Sequence, residues 1–586
     1  MASRVLGFVL LFTATCGIDS AQATNFPLPT VAATAFAQDG DSSEESPASD
    51  AEDAETIGLD EKIDEAFDPI ATKWEALVTY SIPGTGAPLV LFILVGGALF
   101  FTIYFAFVNI RRFPLAINVV RGKYDELEGG NEPITTTSVN VVDGDVVDTI
   151  RDEGEGEVSH FQALATAVSG TVGLGNIGGV AVAIATGGPG ATFWMIMCGL
   201  LGMCTKFVEC TLGVKYRDVD PDGTVYGGPM YYLKKGLQDR GLAPLGTALG
   251  ALFAVLCVGA SFGGGNAFQS NQAAKQLNSV YGLDAKLAEM APGLEGSTGF
   301  IIGTVLAVLV GIVIIGGIKR IASVTEKIVP FMAVMYVLAC ITIIAMNIQH
   351  IGTAVSQIIS QAFTPAAGLG GLAGVLIVGF QRAAFSNEAG AGSAAIAHSA
   401  VKTKYPASEG IVALLEPFID TVVICTMTAL VIVFFNIDGT NAEGVPAFKY
   451  GNLDASKSVI MEDGSAALGG VDLTSAAFAS KIPWFPHVLT VAIVLFAFST
   501  LISWSYYGMQ SWKYLFGKSK AADLTFKLLF LVFIIIGASA KLDAVIKFSD
   551  AMILALVFPN MIGLILLAPK VKEELNKYLS AIKASK

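Results

Sequence analysis

Between Phe161 and Thr205 the chain runs 45 residues without one Asp, Glu, Lys or Arg. The hydrocarbon core of a bilayer is about 30 Å thick and takes about 20 apolar residues per helical crossing, so this stretch is too long for one helix and too apolar for a soluble surface. Gly187-Gly188-Pro189-Gly190 supplies a breaker that divides it in two, 161–186 and 190–213. Comparable runs at 88–108, 247–275, 298–318, 328–347, 370–400, 409–435, 486–509, 524–540 and 548–568 bring the predicted total to eleven spans in an all-α polytopic membrane protein. With 53% hydrophobic and 15% charged residues, against about 25% charged in soluble domains, a soluble multidomain enzyme is excluded.

The net charge of −14 belongs to two polar segments. Residues 38–68 carry 13 acids against Lys62, and 125–157 carry 11 against Arg151; without them 34 basic and 26 acidic residues remain. If the first span enters from outside, the inner connections and the tail 569–586 hold 23 Lys/Arg and the outer segments 7. That asymmetry sets the N-terminus outside and the C-terminus in the cytoplasm. Arg4, the apolar run Val5 to Cys16 and Ala21-Gln22-Ala23 read as a cleaved secretory signal over 1–23, with a second cut site after residue 37. Residues 38–75 follow as an acidic, disordered outer segment. The six other cysteines fall in apolar runs and read as small buried hydrophobes, not a disulfide framework.

Glycine clusters within two spans. Ser169-Gly170-Thr171-Val172-Gly173-Leu174-Gly175-Asn176 lies in the second, and Phe385-Ser386-Asn387-Glu388-Ala389-Gly390-Ala391-Gly392 in the seventh. An interior Gly costs about 1 kcal/mol of helix relative to Ala, and broken backbone at bilayer depth survives only inside protein or beside a wet cavity. The broken spans, at 170–176 and 386–392, each open a set of five, 161–347 and 370–568. An odd number of crossings inverts direction, so the sets read as inverted repeats within a transporter domain of 88–568. Paired interruptions of this kind mark a transporter's midplane site, where freed carbonyls coordinate Na⁺ and half-helix N–H groups face a carboxylate. Glycines that only let helices pack closely are the alternative.

Thr171 and Asn176 are the polar groups of the first break, Ser386 and Asn387 those of the second. Their oxygens suit Na⁺, although a membrane Ser or Thr often bonds back along its own helix and Asn can simply cap a half-helix. Glu388 costs about 2.5–3.5 kcal/mol to insert and is a functional candidate by default: an acceptor locking the broken helices, a counter-charge for a cation, or a structural network member. Arg382 sits too far along the helix for an easy pair with it. Gln269 follows Gly263-Gly264-Gly265-Asn266 in a charge-free run and reads a small polar substrate or glues helices. Ser499 and Thr500 offer hydroxyls at mid-depth, and Trp504 walls a small pocket. Lys206 and Glu209 look like a local i, i+3 pair; Glu416 and Asp420, i, i+4, are like charges without evident partners. The four histidines, His160, His350, His398 and His487, show no clustering along the chain, which speaks against a membrane enzyme.

The runs Gly170 to Ile177, Gly187 to Trp194, Gly227-Gly228-Pro229-Met230-Tyr231-Tyr232, Ser386 to Gly390 and Ser503 to Gly508 resemble the alanine or glycine:sodium symporter family, over roughly 75–570. Gly173-Leu174-Gly175-Asn176 is also similar to the broken first helix of neurotransmitter:sodium symporters. The resemblance implies a LeuT-type five-plus-five inverted repeat preceded by one extra helix, and alternating-access import of a small neutral amino acid (alanine, glycine or serine) with Na⁺. A proton-coupled carrier of the same fold, working through Glu388, is the alternative. By the same likeness, one cation site uses Thr171, Asn176 and Ser386, and another Ser169, Val172, Ser499 and Thr500. The substrate side draws on Thr171, Gly173, Gly175, Asn176, Gln269, Asn387, Gly390 and Trp504, with Glu388 in a coupling network. The expected setting is a monomer in a bacterial plasma membrane, in contact with lipid, without cofactor or nucleic acid.

Overall fold

The computed structural model describes residues 59–129, 156–363, 371–439 and 445–585, apart from 84–85, 222 and 455–456, together with a two-residue-strand hairpin of Val141–Val142 and Asp145–Val146. The signal segment lies outside the described residues.

Apolar runs become helices because a buried backbone must satisfy its own hydrogen bonds. The charge-free opening stretch is α3 (His160–Thr171), α4 (Gly178–Gly187) and α5 (Gly190–Lys215), preceded by α1 (Leu59–Val78) and α2 (Leu89–Tyr104). Next come α6 (Ala243–Phe262), α7 (Phe268–Tyr281), α8 (Thr298–Ile314), α9 (Gly317–Met346), α10 (Gly371–Asn387), α11 (Ala394–His398), α12 (Pro406–Val412) and α13 (Thr426–Asp438). The chain closes with α14 (Val471–Ala479), α15 (Phe485–Phe516), α16 (Lys520–Ser539), α17 (Leu542–Ala555) and α18 (Val557–Ala584). Among the described residues seven helices or continuous helix pairs are long and apolar enough to span a membrane. The pair α3–α4, bent by 55°, makes an eighth, and α2 and α8 are shorter apolar helices.

Ser159 starts α3 through a capping box, accepting from the Gln162 amide while the Gln162 side chain accepts from its own. α3 packs on α9 and α15, and α10 on α4 and α5. Small residues set the spacing: a Cβ on Gly202 of α5 would come within 2.8 Å of Ala389, and one on Gly213 within 2.8 Å of the Ala395 carbonyl. The six cysteines of the span regions are all buried and free, as expected.

One expectation fails at the acidic outer segment. Its last part is α1, not solvated coil. Phe67, Ala71, Trp74 and Val78, spaced along one face, are buried, and the helix lies against α17. Two of its acids have structural work: Asp60 accepts from the Gly299 and Phe300 amides at 2.9 and 3.1 Å at the start of α8, and Asp64 from the Lys541 amide at 2.7 Å. The described part of the long connection after α13 also forms regular structure. Phe448–Leu453 pairs with Val459–Met461, and α14 follows over the first break: Thr474 donates to the Ile177 carbonyl at 3.2 Å, and the Gln272 side chain accepts from the Val471 amide at 2.9 Å.

Candidate functional site

The first break spans Val172 to Ile177 and contains a single 3₁₀ turn, Leu174–Asn176. Its exposed backbone donors are taken by amide side chains: Asn176 Oδ1 accepts from the Gly173 N–H and Gln269 Oε1 from the Leu174 N–H, both at 2.9 Å. Gln269 in turn donates to the Gly264 carbonyl at 2.9 Å, in a five-residue π turn, Gly263–Ala267, that interrupts α6–α7. Gly265 lies against Trp504 so closely that a Cβ there would come within 2.1 Å of the indole.

The second break is built differently. Glu388 adopts a left-handed φ of 55°, unusual for a side chain other than Gly, Asn or Asp, and Gly390 and Gly392 follow at 97° and 84°. Strain of this kind, of order 1–3 kcal/mol per residue, persists where surrounding contacts hold it. Here Glu388 accepts from the Ser393 hydroxyl and, at 3.1 Å, from Trp504 Nε1, which also reaches the Gly170 carbonyl at 3.2 Å. One indole therefore ties the two broken helices together. Asn387 caps its own break, accepting from the Ala389 N–H at 3.0 Å and donating to Thr421 at 2.9 Å.

Between the breaks is a narrow cavity with room for about one water, lined by Gly170, Thr171, Gly175, Gly264, Gln269, Phe385, Glu388 and Ile553. Four of the proposed site residues, Thr171, Gly175, Gln269 and Glu388, face it; Trp504 closes it through Glu388. The Thr171 hydroxyl bonds back toward the Ala167 and Val168 carbonyls at 3.3 and 3.4 Å. Ser169, Ser499 and Thr500 lie together: Ser169 donates to the Ser499 carbonyl at 2.8 Å and Thr500 to the Ser169 carbonyl at 2.9 Å, with Val172 at the adjoining helix end.

Asn176 and Ser386 are joined by a residue whose partners were not evident from the sequence. Asp420, fully buried in a π-helical turn (Phe418–Cys425), accepts from Asn176 Nδ2 at 2.6 Å, Ser386 Oγ at 2.9 Å and Thr421 Oγ1 at 2.7 Å. The only sequence signal was an acid inside an apolar run. Two further readings change, the Lys206–Glu209 pair and the scattered histidines. Lys206 does not pair with Glu209; it reaches Glu416 at 3.0 Å, while Glu209 accepts from the Gly390 N–H at 2.9 Å and Asn560 at 3.0 Å. The second break needs an acceptor for its freed donors more than the helix needs a local pair. Arg382 pairs with Asp550, not Glu388. The histidines, scattered in sequence, also converge: His160 and His398 both bond Glu409.

A bundle of apolar helices with two facing broken helices around a small polar cavity defines a multi-pass membrane transporter. Residues 73–586 match the model of the sodium:alanine symporter family. The sodium/alanine symporter of Methanococcus maripaludis is 39% identical over 488 residues, 83% of this chain and 93% of the relative. An uncharacterized transporter of Haemophilus influenzae is 35% identical over 505 residues, covering 85% and 94%, and a probable sodium/glutamine symporter of Bacillus subtilis is 34% identical over 433 residues, covering 73% and 80%. The chain belongs to the sodium:alanine symporter family. It is a sodium-coupled amino acid symporter rather than an enzyme.

Proposed function

We propose that the protein imports a small neutral amino acid, alanine with glycine or serine as the alternatives, together with Na⁺, by alternating access across a bacterial plasma membrane. The reading rests on one observation above the others: the cavity between the breaks is small, and its walls combine backbone of Gly170 and Gly175, the Gln269 amide and the Glu388 carboxylate with the apolar Phe385 and Ile553. In this reading the chain has eleven spans as two inverted sets of five plus α2, acts as a monomer, and has its N-terminus outside.

The substrate carboxylate faces the N–H groups of the unwound segment around Gly173 and Gly175, and its amino group faces Glu388 and the carbonyls near Thr171 and Gly390. Phe385, Ile553 and Trp504 crowd the space between the breaks, which favours a short side chain. One Na⁺ is held by the Thr171 carbonyl, Asn176 and Ser386, with the Asp420 carboxylate supplying the negative charge that a hard, desolvated cation requires. The second sits among Ser169, Val172, Ser499 and Thr500. One charge crossing about 100 mV releases about 2.3 kcal/mol, enough for nearly two decades of accumulation.

Purified protein in liposomes should accumulate labelled alanine when outside Na⁺ exceeds inside Na⁺. Uptake unchanged when choline replaces outside Na⁺ would sink the coupling. Asn176→Ala raises the Na⁺ concentration needed for half-maximal uptake. Because Glu388 faces the cavity without a basic partner among its hydrogen bonds, coupling to protons is the second reading, and uptake driven by a pH step in the absence of Na⁺ would favour it.

A further inference from the structure

Near the start of α3 and the end of α11, a chain of buried ionisable groups runs through four segments distant in sequence, around residues 128, 160, 206 and 398–416. Glu128 Oε2 meets His160 Nε2 at 2.7 Å; His160 Nδ1 meets Glu409; Glu409 Oε1 meets His398 Nδ1 at 2.5 Å; His398 Nε2 faces Glu416 Oε2 at 3.5 Å; and Glu416 Oε1 meets Lys206 at 3.0 Å. Glu128 already accepts from Tyr578 at 2.6 Å, Thr403 at 2.7 Å and Ser408 at 2.9 Å. Glu128, His160, His398, Glu409, Glu416 and Lys206 are all buried.

Proton counting decides what this arrangement holds. Each imidazole has both nitrogens against carboxylates, yet a neutral imidazole has one N–H and one lone pair. Three of these contacts are hydrogen bonds and the fourth, His398 Nε2 to Glu416, is an ion-pair approach at 3.5 Å; attraction at all four takes four protons, and two neutral rings bring two. Two more must be bound, on the rings or on the acids, or a lone pair faces a carboxylate at each histidine. Charge points the same way. Glu128, Glu209, Glu409 and Glu416 against Lys206 leave −3 among buried side chains, and two extra protons reduce it to −1.

The chain also sits where the two broken helices are fastened together. Val158, just before α3, bridges Val401, just after α11; Lys402 N donates to the Val158 carbonyl at 2.9 Å, and Arg217 binds the Ser399 and Val401 carbonyls at 2.8 and 2.5 Å. His160 opens α3 and His398 closes α11, so Glu409 between them holds the same ends by side chains. We propose that the Glu128–His160–Glu409–His398–Glu416 chain is a two-proton binding site that clamps the ends of the broken helices, and that losing those protons releases this end of the transport pathway. The gating part rests on the symport reading above. The groups facing the chain from neighbouring elements are Lys206, Glu209 and Cys210 on α5, Arg217 beyond it, Glu326 on α9 through Gln162, Glu388 in the second break, Tyr507 on α15 and Tyr578 on α18.

Amide hydrogen exchange of the full chain in lipid discs tests it, with peptides covering 156–160 and 398–412 read against peptides of α15 as internal reference. Between about pH 7 and about pH 11 the wild-type ratio should rise, up to about tenfold per pH unit for each proton released. His398→Gln and, separately, Glu409→Gln should remove that dependence. A wild-type ratio flat across the range overturns the proposal even if neither variant folds, and a folded variant with the wild-type profile overturns it too. Failure of Na⁺-driven alanine uptake would remove the gating role while leaving this exchange readout to decide the proton site.

Discussion

The two breaks do the same thing to a helix by opposite means. The first carries no charged residue of its own: glycines let the backbone turn, and the amides of Asn176 and Gln269 satisfy what the turn exposes. The second is charged: Glu388 stands in a left-handed conformation, and Glu209 holds the Gly390 amide from a neighbouring helix. A neutral break can be satisfied from within its own surroundings and then exchange partners cheaply. A charged one must be held by specific donors, and each donor, Trp504 above all, becomes a mechanical link to another helix. The comparison suggests that the first break adapts to what binds while the second transmits it.

The largest effect should come from the charged side. Glu388→Ala removes the acceptor shared by Ser393 and Trp504 and frees the link to Gly170, so uptake in liposomes should fall by about 100-fold or more, the equivalent of about 2.7 kcal/mol, while the protein still extracts as a folded monodisperse species. Activity within about twofold of wild type would break the contrast outright. Gln269→Ala is intermediate: it strands the Leu174 N–H and the Gly264 carbonyl, at about 1–3 kcal/mol for a buried unsatisfied group, seen as lower thermal stability and weaker alanine binding by calorimetry. Stability and binding both unchanged would mean that the first break does not depend on its amide. Thr171→Val should do least. Its hydroxyl only bonds back along α3, so labelled uptake should change by about threefold at most; a large loss would show that this hydroxyl, and not the neighbouring carbonyl, contacts a transported species.

The interruptions were legible because glycine in an apolar run contradicts a helix, and a contradiction repeated at matching places carries information that one does not. Gln269 and Trp504 were legible for a related reason, as polar or bulky groups where lipid would tolerate neither. Asp420 was visible as an oddity but its meaning lay in Asn176, 244 residues away. The histidine chain was hidden altogether: His160 and Glu409 are 249 positions apart, and no periodicity reports a contact made by helices that are neighbours only in space. α1 misled in the other direction. Its acids look like a solvated linker until Asp60 and Asp64 are seen holding backbone amides, leaving one apolar face to pack.

Ser169, Ser499 and Thr500 already satisfy one another across two helices. If this is the second Na⁺ site proposed above, the ion would meet oxygens that already have a use, yet each hydroxyl and carbonyl there keeps a free lone pair. A spherical ion with no shape of its own would then act as one more link between α3 and α15, added to the hydrogen bonds already joining them.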